Sequence, residues 1–337
     1  MKVCHFAATK GLGRGEAFVE IANELAEQIE VCLLVPEGAL FLDRVSPKVE
    51  VQLYKERGSR RNLLQLWQLH RHFKSTQPDL VHTHFGKATE LFLYINRFLG
   101  LPHLATKHNP RKGKVFEKVK YATAVSEEAG KSIKNPDTSV MVIRNGLKPE
   151  GPEPDASYEP PTPFPILAIG RLDPIKGFDL LIESLAELEF PFHFSLAGDG
   201  EERQNLEKLA KEKLPQGSYT FLGFRKDIPE LMNHAALVVS SSHSEGCPMA
   251  MIEAFFYANA FLSTPAGEAA SILPESCLCT HENMAEKITG IFRNYQNSRT
   301  AFRAFAKEQI PNFSSSAVAD QYMQAYKAVL WDIPQPS

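Results

Sequence analysis

The sequence predicts an α/β protein made of two doubly wound domains in tandem. Three observations carry that expectation. Short apolar, β-branched runs alternate with amphipathic helical patterns along most of the chain, the signature of βαβ units and a parallel sheet. The alternation stops once, in a proline-rich stretch, and then restarts. The length, 337 residues, is long for one ordinary domain and comfortable for two.

In the first half, KVCHF, VCLLV, VEVQLY, DLVHTH, HLATKH, YATAV and SVMVI read as strands. Between them EAFVEIANELAEQIE, NLLQLWQLHRHFK and ATELFLYINRFLG place apolar residues at i, i+3 and i+4 and read as helices. These segments make a first domain over residues 1–150. The stretch LKPEGPEPDASYEPPTPFP, Leu147–Pro165, holds seven prolines and no periodicity. Proline at that density continues neither a helix nor a central strand, so 151–165 reads as a linker. A second domain, 166–315, follows. Its strands are ILAIG, FHFSLAG, YTFLGF, ALVVSSS and AFLST. Its helices are FDLLIESLAELE, EERQNLEKLAKEKL, DIPELMNHA and PMAMIEAFFYA. A last amphipathic helix over about 316–333, AVADQYMQAYKAVLWDI, comes after the second sheet is complete. It either packs on its own domain or crosses back to the first.

Bulk composition excludes several classes. Hydrophobic residues at 43% and charged residues at 23% are globular values. No window approaches the ~18 apolar residues of a membrane span. The start MKVCHFAATKG has neither an apolar core nor a cleavage site, so it does not read as a signal peptide. Five cysteines without framework spacing fit a reduced, cytoplasmic chain. Charge is split: residues 1–150 carry 23 Lys+Arg and 16 Asp+Glu, a balance of +7, and residues 151–337 carry 14 and 24, a balance of −10. The basic excess concentrates in KERGSRR (Lys55–Arg61) and KHNPRKGKVFEKVK (Lys107–Lys120). One reading of these clusters is solvated surface. The other is a basic face that meets an anionic membrane or a phosphorylated acceptor.

In open parallel sheets the ligand site lies at the carboxyl ends of the strands, and with two such domains the expected site is the cleft between them. The chemistry-bearing motifs fall at that edge. In ILAIGRLDPIKGFDLLIESL a buried strand ends at Gly170 and a loop carries Arg171, Lys176 and Gly177 into a helix. Two cations and two glycines in a strand–loop–helix suit a diphosphate. LAGDGEERQNLEKLA turns at Gly198, and FLGFRKDIPELM offers Phe224 and Arg225 as a platform for a nucleobase. SSSHSEGCPMAMIEA holds two glutamates, Glu245 in the loop after a strand and Glu253 inside the next helix. Pro248 suits the first helical turn, where its missing N–H costs little. If the helix were continuous, the two acids would lie ~80° apart and face one side. Apolar neighbours around Glu253 leave its carboxylate in need of a partner, such as ligand hydroxyls or a lysine.

These four motifs, in this order and spacing, resemble the retaining GT-B glycosyltransferases of the family-4 type, also called glycosyl transferases group 1. Glu245 and Glu253 match that family's E-x7-E signature. The resemblance implies a C-terminal domain that binds a nucleotide-sugar, UDP- or GDP-linked. Arg171 and Lys176 would hold the diphosphate and Glu245 the sugar hydroxyls. Amides around Gly246, Cys247, Pro248 and Met249 would assist. Glu253 would bind the ribose, the base would sit by Phe224 and Arg225, and Gly198 would line the rim. In the first domain, GLGRGEAFVEIANEL sits where the family has a glycine-rich phosphate and acceptor loop, here Gly13, Arg14 and Gly15. DLVHTH puts His82 and His84 on one strand face, and LATKHNP ends a strand at His108, where the family has a histidine near the reaction centre. Ser126, Asn145 and Gly146 stand in further family-like segments, and Ala266 replaces a common glycine before Gly267 and Glu268.

The implied activity is a metal-independent hexosyl transfer to a glycan or lipid-linked acceptor, in cell-surface polysaccharide, lipopolysaccharide or glycolipid synthesis. His108 and Glu245 would be the catalytic groups. No Asp-x-Asp occurs, so no metal is expected on the diphosphate and no cofactor is implied. Nucleic acid is not an expected partner; the inner face of the cell membrane is. The rival readings are a nucleotide-sugar epimerase or hydrolase on the same fold, an inactive sugar-nucleotide-binding module, and a metal hydrolase using His82, His84 and His108.

Overall fold

The computed structural model describes residues 1–11, 17–111 and 113–332. Two parallel sheets divide the chain. The first has seven strands: β1 (Lys2–Ala7), β2 (Glu30–Pro36), β3 (Glu50–Tyr54), β4 (Leu80–His84), β5 (His103–Lys107), β6 (Tyr121–Ala124) and β7 (Ser139–Val142). Their order is β3-β2-β1-β4-β5-β6-β7. The second has five: β8 (Phe164–Ile169), β9 (Phe192–Ala197), β10 (Tyr219–Gly223), β11 (Leu237–Ser240) and β12 (Phe261–Ser263), in the order β10-β9-β8-β11-β12. Each order runs outward in both directions from a central pair, β1/β4 in one sheet and β8/β11 in the other. That pair is the topological switch point, where the loops above the strand ends diverge and leave a crevice.

Helices α1 (Ala17–Leu25), α2 (Leu63–Thr76), α3 (Phe85–Leu99) and α4 (Glu127–Lys131) connect the strands of the first sheet. Those of the second are α5 (Phe178–Leu185), α6 (Arg203–Lys213), α7 (Ile228–His234), α8 (Met249–Tyr257), α9 (Ala269–Ile272), α10 (Met284–Arg293) and α11 (Tyr295–Phe313). The last helix is α12 (Ser315–Trp331). Among the described residues, no helix is long and apolar enough to cross a membrane.

Both faces of the first sheet are covered, as parallel sheets require. Phe6, Tyr54, Phe73 and Phe92 pack on one face; Phe18, Leu33, Tyr322 and Tyr326 pack on the other. The two tyrosines belong to α12, so the last helix completes the core of the first unit. That unit comprises Met1–Lys148 and the chain from Phe313 onward; the second is Pro149–Asn312. Gly146 explains the close approach of α12: a Cβ there would lie 2.8 Å from Val318 and 3.1 Å from the Ser314 carbonyl. The Ser315 amide donates to the Leu147 carbonyl at 3.0 Å, and the Leu147 amide donates to the Phe313 carbonyl at 2.9 Å. All five cysteines are free thiols, and all are buried.

Two segments differ from the sequence expectation. The prolyl stretch is not a loose connector. Arg299, itself buried, donates to the carbonyls of Ala156 (3.0 Å) and Asp155 and to Asn259 Oδ1 (3.1 Å). Tyr158 Oη donates to the His234 carbonyl at 2.8 Å. Cations and a phenol replace the ladder bonds that proline cannot make. Helices α9 to α11, which follow the last strand of the second sheet, are absent from the sequence reading. Replacing Arg299 by methionine should destabilise the second unit by roughly 2–4 kcal/mol, since a buried guanidinium leaves three acceptors behind. A urea midpoint within error of the wild type would show that the stretch is held by something else.

Candidate functional site

At the β8/β11 switch point, two loops are stitched together. The loop after β8 runs from Gly170 to Gly177, and Asp173 caps its short turn by accepting from the Ile175 amide at 3.1 Å. The loop after β11 runs to Pro248. Ser241 Oγ donates to the Lys176 carbonyl at 2.9 Å, and the His243 amide donates to the Ile175 carbonyl at 2.8 Å. Lys176 Nζ donates to Glu245 Oε1 at 2.6 Å, and Ser242 Oγ donates to the same oxygen at 2.8 Å. Thus two residues read separately from the sequence form one ion pair.

Glycines permit this contact of main chain with main chain. Gly198, at φ +145, would set a Cβ 1.8 Å from the Gly170 carbonyl oxygen. Gly177, at φ +59, would set one 2.3 Å from the Ser241 carbonyl, and Gly267, also at +59, one 2.2 Å from the Gly246 carbonyl. No side chain fits at those distances. The Glu268 amide donates to that same Gly246 carbonyl at 2.9 Å, and Glu268 is buried. Ala266 is buried beside them, so the glycine lost at that position is not one the backbone needs.

The remaining expected residues are placed as follows. Arg171 is paired with Asp173 two residues on, so its charge is shared within its own loop. Phe224 is half exposed, a ring open to solvent. Arg225 is held by Asp227 through Nε at 2.8 Å and through a second, shorter contact. Gly246, Cys247 and Pro248 are buried; Pro248 caps α8 from an extended conformation rather than sitting inside its first turn. Met249 opens α8 and Glu253 stands half-buried in it, among buried Met251, Ile252, Ala254, Phe255 and Phe256. Gly13, Arg14 and Gly15 lie outside the described residues.

The first sheet carries a second cluster at its own switch point. His5 of β1 is the register partner of His82 of β4, and His84 follows on the same face. His5 Nδ1 lies 3.0 Å from His84 Nε2, and His84 Nδ1 lies 3.3 Å from His108 Nε2. His82 contacts Tyr326 Oη at 2.8 Å and Thr106 Oγ1 at 2.5 Å. His5, His82 and His84 are fully buried, so His84 reaches accessible surface only through His108, which is partly exposed. The His108 ring stacks on Phe85 with centroids 4.2 Å apart. Phe85 itself has φ +65, a conformation that costs a bulky residue roughly 1–3 kcal/mol. Thr89 Oγ1 holds it by donating to the Phe85 carbonyl at 3.0 Å, and Thr83 and His103 back Thr89 from the other face of β4.

Burial sets the charge of this cluster. Desolvation pushes the imidazoles of His5, His103 and His108 down to about 3, and those of His82 and His84 well below the usual value. Burial pushes the Tyr326 phenol well up. All are therefore neutral near pH 7. His5, His82 and His84 also offer nitrogen atoms within 4.8 Å of one another, a spacing that a metal ion would accept after displacing their hydrogen bonds. His5 and Tyr326 escaped the sequence reading: KVCHF looks like an ordinary buried strand, and a tyrosine of the last helix signals nothing about the first sheet.

The family now follows from the whole chain. Residues 152–309 match the family described as Glycosyl transferases group 1, and residues 15–150 match Glycosyltransferase Family 4. The chain belongs to the GT-B glycosyltransferases of the family-4 type. Among relatives of this family-4 transferase, the lipopolysaccharide core biosynthesis glycosyltransferase LpsE of Rhizobium meliloti is 29% identical over 256 residues, covering 72% of this chain and 73% of the relative. An uncharacterised glycosyltransferase of Methanocaldococcus jannaschii is 28% identical, covering 66% and 68%. The fold is shared with Anabaena HepE, solved in complex with UDP-glucose, at a TM-score of 0.81 and 17% identity, over 97% of this chain and 100% of that one.

The histidine cluster makes a pH signature. The folded-state values lie below the unfolded imidazole value of ~6.5, so above that pH neither state is protonated and the cluster costs nothing. As pH falls below ~6.5 the unfolded chain takes up protons that the folded one refuses, and stability drops until the folded values near 3 are reached. At pH 5 each fully buried imidazole should cost roughly 2 kcal/mol. Unfolding at pH 5.5 should take up between about four and five protons from His5, His82, His84, His103 and His108, measured by calorimetry in buffers of different ionisation enthalpy. Uptake of less than one would mean that the cluster is already charged when folded.

Proposed function

We propose that this transferase moves a hexose from a nucleotide-sugar, UDP- or GDP-linked, to an acceptor hydroxyl with retention at the anomeric carbon. The observation that supports the reading most is the ion pair of Lys176 with Glu245 across the β8/β11 switch point. It sets a cation and a carboxylate side by side where a βα crevice takes phosphate and sugar. Lys176 Nζ, with Arg171, neutralises the diphosphate. Glu245 Oε1 is occupied by Lys176 and Ser242, so its other oxygen is the one that accepts from sugar hydroxyls. The first amides of α8 lack intrahelical partners and favour an anion. Glu253, one to two turns further along α8, takes the ribose hydroxyls. Phe224 and Arg225 take the base.

The bond from the anomeric carbon to the diphosphate oxygen breaks, and a bond to the acceptor oxygen forms on the same face. The hydroxyl proton passes to the departing phosphate, so no protein nucleophile is required. The protein contributes position and charge stabilisation of the leaving diphosphate. That role needs no divalent metal, and chelation should leave turnover unchanged. The UDP-glucose complex of HepE and the lipopolysaccharide role of LpsE favour a UDP-sugar and a cell-surface glycan or lipid-linked acceptor. Thermal shift across UDP-, GDP- and ADP-sugars should single out one nucleotide. Lys176→Ala and Glu253→Ala should each weaken it by at least about tenfold, the worth of one charge-assisted hydrogen bond. Unchanged affinity in both variants would sink the assignment.

A lipid-linked acceptor would bring the first unit to an anionic bilayer, and α2 suits that surface. Leu63, Leu64 and Trp67 at its start are 81%, 61% and 59% exposed, directly after the basic run Lys55–Arg61. Arg71 lies 5.0 Å over the Trp67 ring. Aromatic and aliphatic side chains flanked by cations are the pattern of an interfacial helix. Leu64→Ser with Trp67→Ser should weaken sedimentation with phosphatidylglycerol vesicles by at least about tenfold. Equal binding to phosphatidylcholine vesicles, or no loss in the double variant, would remove the membrane from this reading.

A further inference from the structure

We propose that a buried hydrogen-bonded chain, Thr123–Thr106–His82–Tyr326–His5–His84–His108, locks His108 as the neutral Nδ1–H tautomer, so that it meets substrate as a hydrogen-bond donor and not as a base. The links are continuous. Thr123 Oγ1 and Thr106 Oγ1 are 2.5 Å apart, and Thr106 Oγ1 is 2.5 Å from His82 Nε2. Tyr326 Oη bridges His82 Nδ1 at 2.8 Å and His5 Nε2 at 3.2 Å. His5 Nδ1 continues to His84 Nε2, and His84 Nδ1 to His108 Nε2. Every member except His108 is fully buried.

The proton inventory decides the direction. Each hydroxyl and each neutral imidazole brings one proton, seven in all, and the chain has six links. One proton is therefore surplus. On Thr106 or Tyr326, with both chain neighbours donating to the oxygen, it would be a buried donor without an acceptor in the chain, so it sits at an end. If every group donates toward Thr123, the surplus is the Thr123 hydroxyl proton. That hydroxyl is fully buried and has no other partner among the described residues. An unused buried donor carries the full desolvation penalty. If every group donates toward His108, the surplus is the Nδ1 proton of the one accessible member, and each buried donor is used. In that polarisation His82 and His5 carry their protons on Nδ1, Tyr326 donates to His5, and His84 donates to His108 Nε2. The partner that completes the chain is an oxygen acceptor, a sugar hydroxyl or a phosphate oxygen. Tyr326 acts through the chain and is a positioning residue. It reaches the first sheet only because α12 packs there.

The same contacts argue against the cluster as a metal centre. The nitrogens of His5, His82 and His84 that lie close enough to share an ion are the ones that make these links. A bound ion would take the lone pairs the chain needs.

The inference rests on the transferase reading only for the role of His108, and its first test does not involve activity. Long-range proton–nitrogen correlation spectra of the 15N-histidine-labelled protein near neutral pH should show His5, His82, His84 and His108 each as a single Nδ1–H tautomer. Tyr326→Phe removes the central bridge and leaves His5 Nε2 unsatisfied in either polarisation. It should therefore move the His108 nitrogen shifts toward the average of two tautomers. Thr106→Val cuts the chain further away and should move the His82 and His108 shifts in the same sense, which covers the case of a poorly folded Tyr326→Phe. Transfer should slow between about twofold and tenfold in these variants, following the population of the wrong tautomer. An Nε2–H or charged His108 in the wild type would overturn the proposal. So would unchanged His108 shifts in both variants, or a stoichiometric divalent ion on purified protein. Shifts as expected with turnover unchanged would uphold the lock and remove His108 from the reaction.

Discussion

One phenol oxygen joins the two ends of this chain. Tyr326 Oη sits between His82 of β4 and His5 of β1, and it belongs to a helix that follows the second sheet in sequence. Burying three imidazoles at the centre of a parallel sheet is costly unless each polar atom finds a partner. The strands supply imidazoles and threonines but no group able to bridge His5 and His82. The bridge has to come from above the sheet. α12 delivers it, with Tyr322 and Val318 packing around it as apolar cover. The continuity of the buried chain that ends at His108 depends on this one contact.

The second sheet meets the same topological problem with different means. Its switch point is lined by partly buried charges rather than enclosed neutral rings. Lys176 and Glu245 keep 23% and 16% of their side-chain surface, so the cost of desolvating both charges offsets much of their attraction. Its value is geometric: it ties the loop after β8 to the loop after β11. The glycines at 177, 198 and 267 let those loops touch main chain to main chain above the core of the second unit. One unit therefore presents a neutral donor and the other a paired charge.

Much of this was legible in the sequence, for identifiable reasons. Parallel strands buried on both faces read as continuous apolar runs, and glycine with charge at strand ends marks the loops of the switch point, so β8, β11, Lys176, Glu245 and Glu253 stood out. Glycosyl transferases group 1 is a family whose signatures lie in those loops. What escaped was long-range. Nothing local shows that Lys176 takes Glu245, or that Arg299 fastens a segment some 140 residues earlier. His5 looked like one polar residue in an apolar strand. Its meaning depends on register with His82 and on a helix 320 residues away.

The return of α12 has a consequence for the order in which the chain matures on the ribosome. Pro149–Asn312 is contiguous, and its core closes as soon as α11 has emerged. The first unit is translated earlier but lacks Tyr322, Tyr326 and Val329 until α12 is made. It waits with one face of its sheet only partly covered, by α1, while the later unit folds. A premature stop near residue 312 would spare the unit next to it and leave the one farthest away in sequence without part of its core.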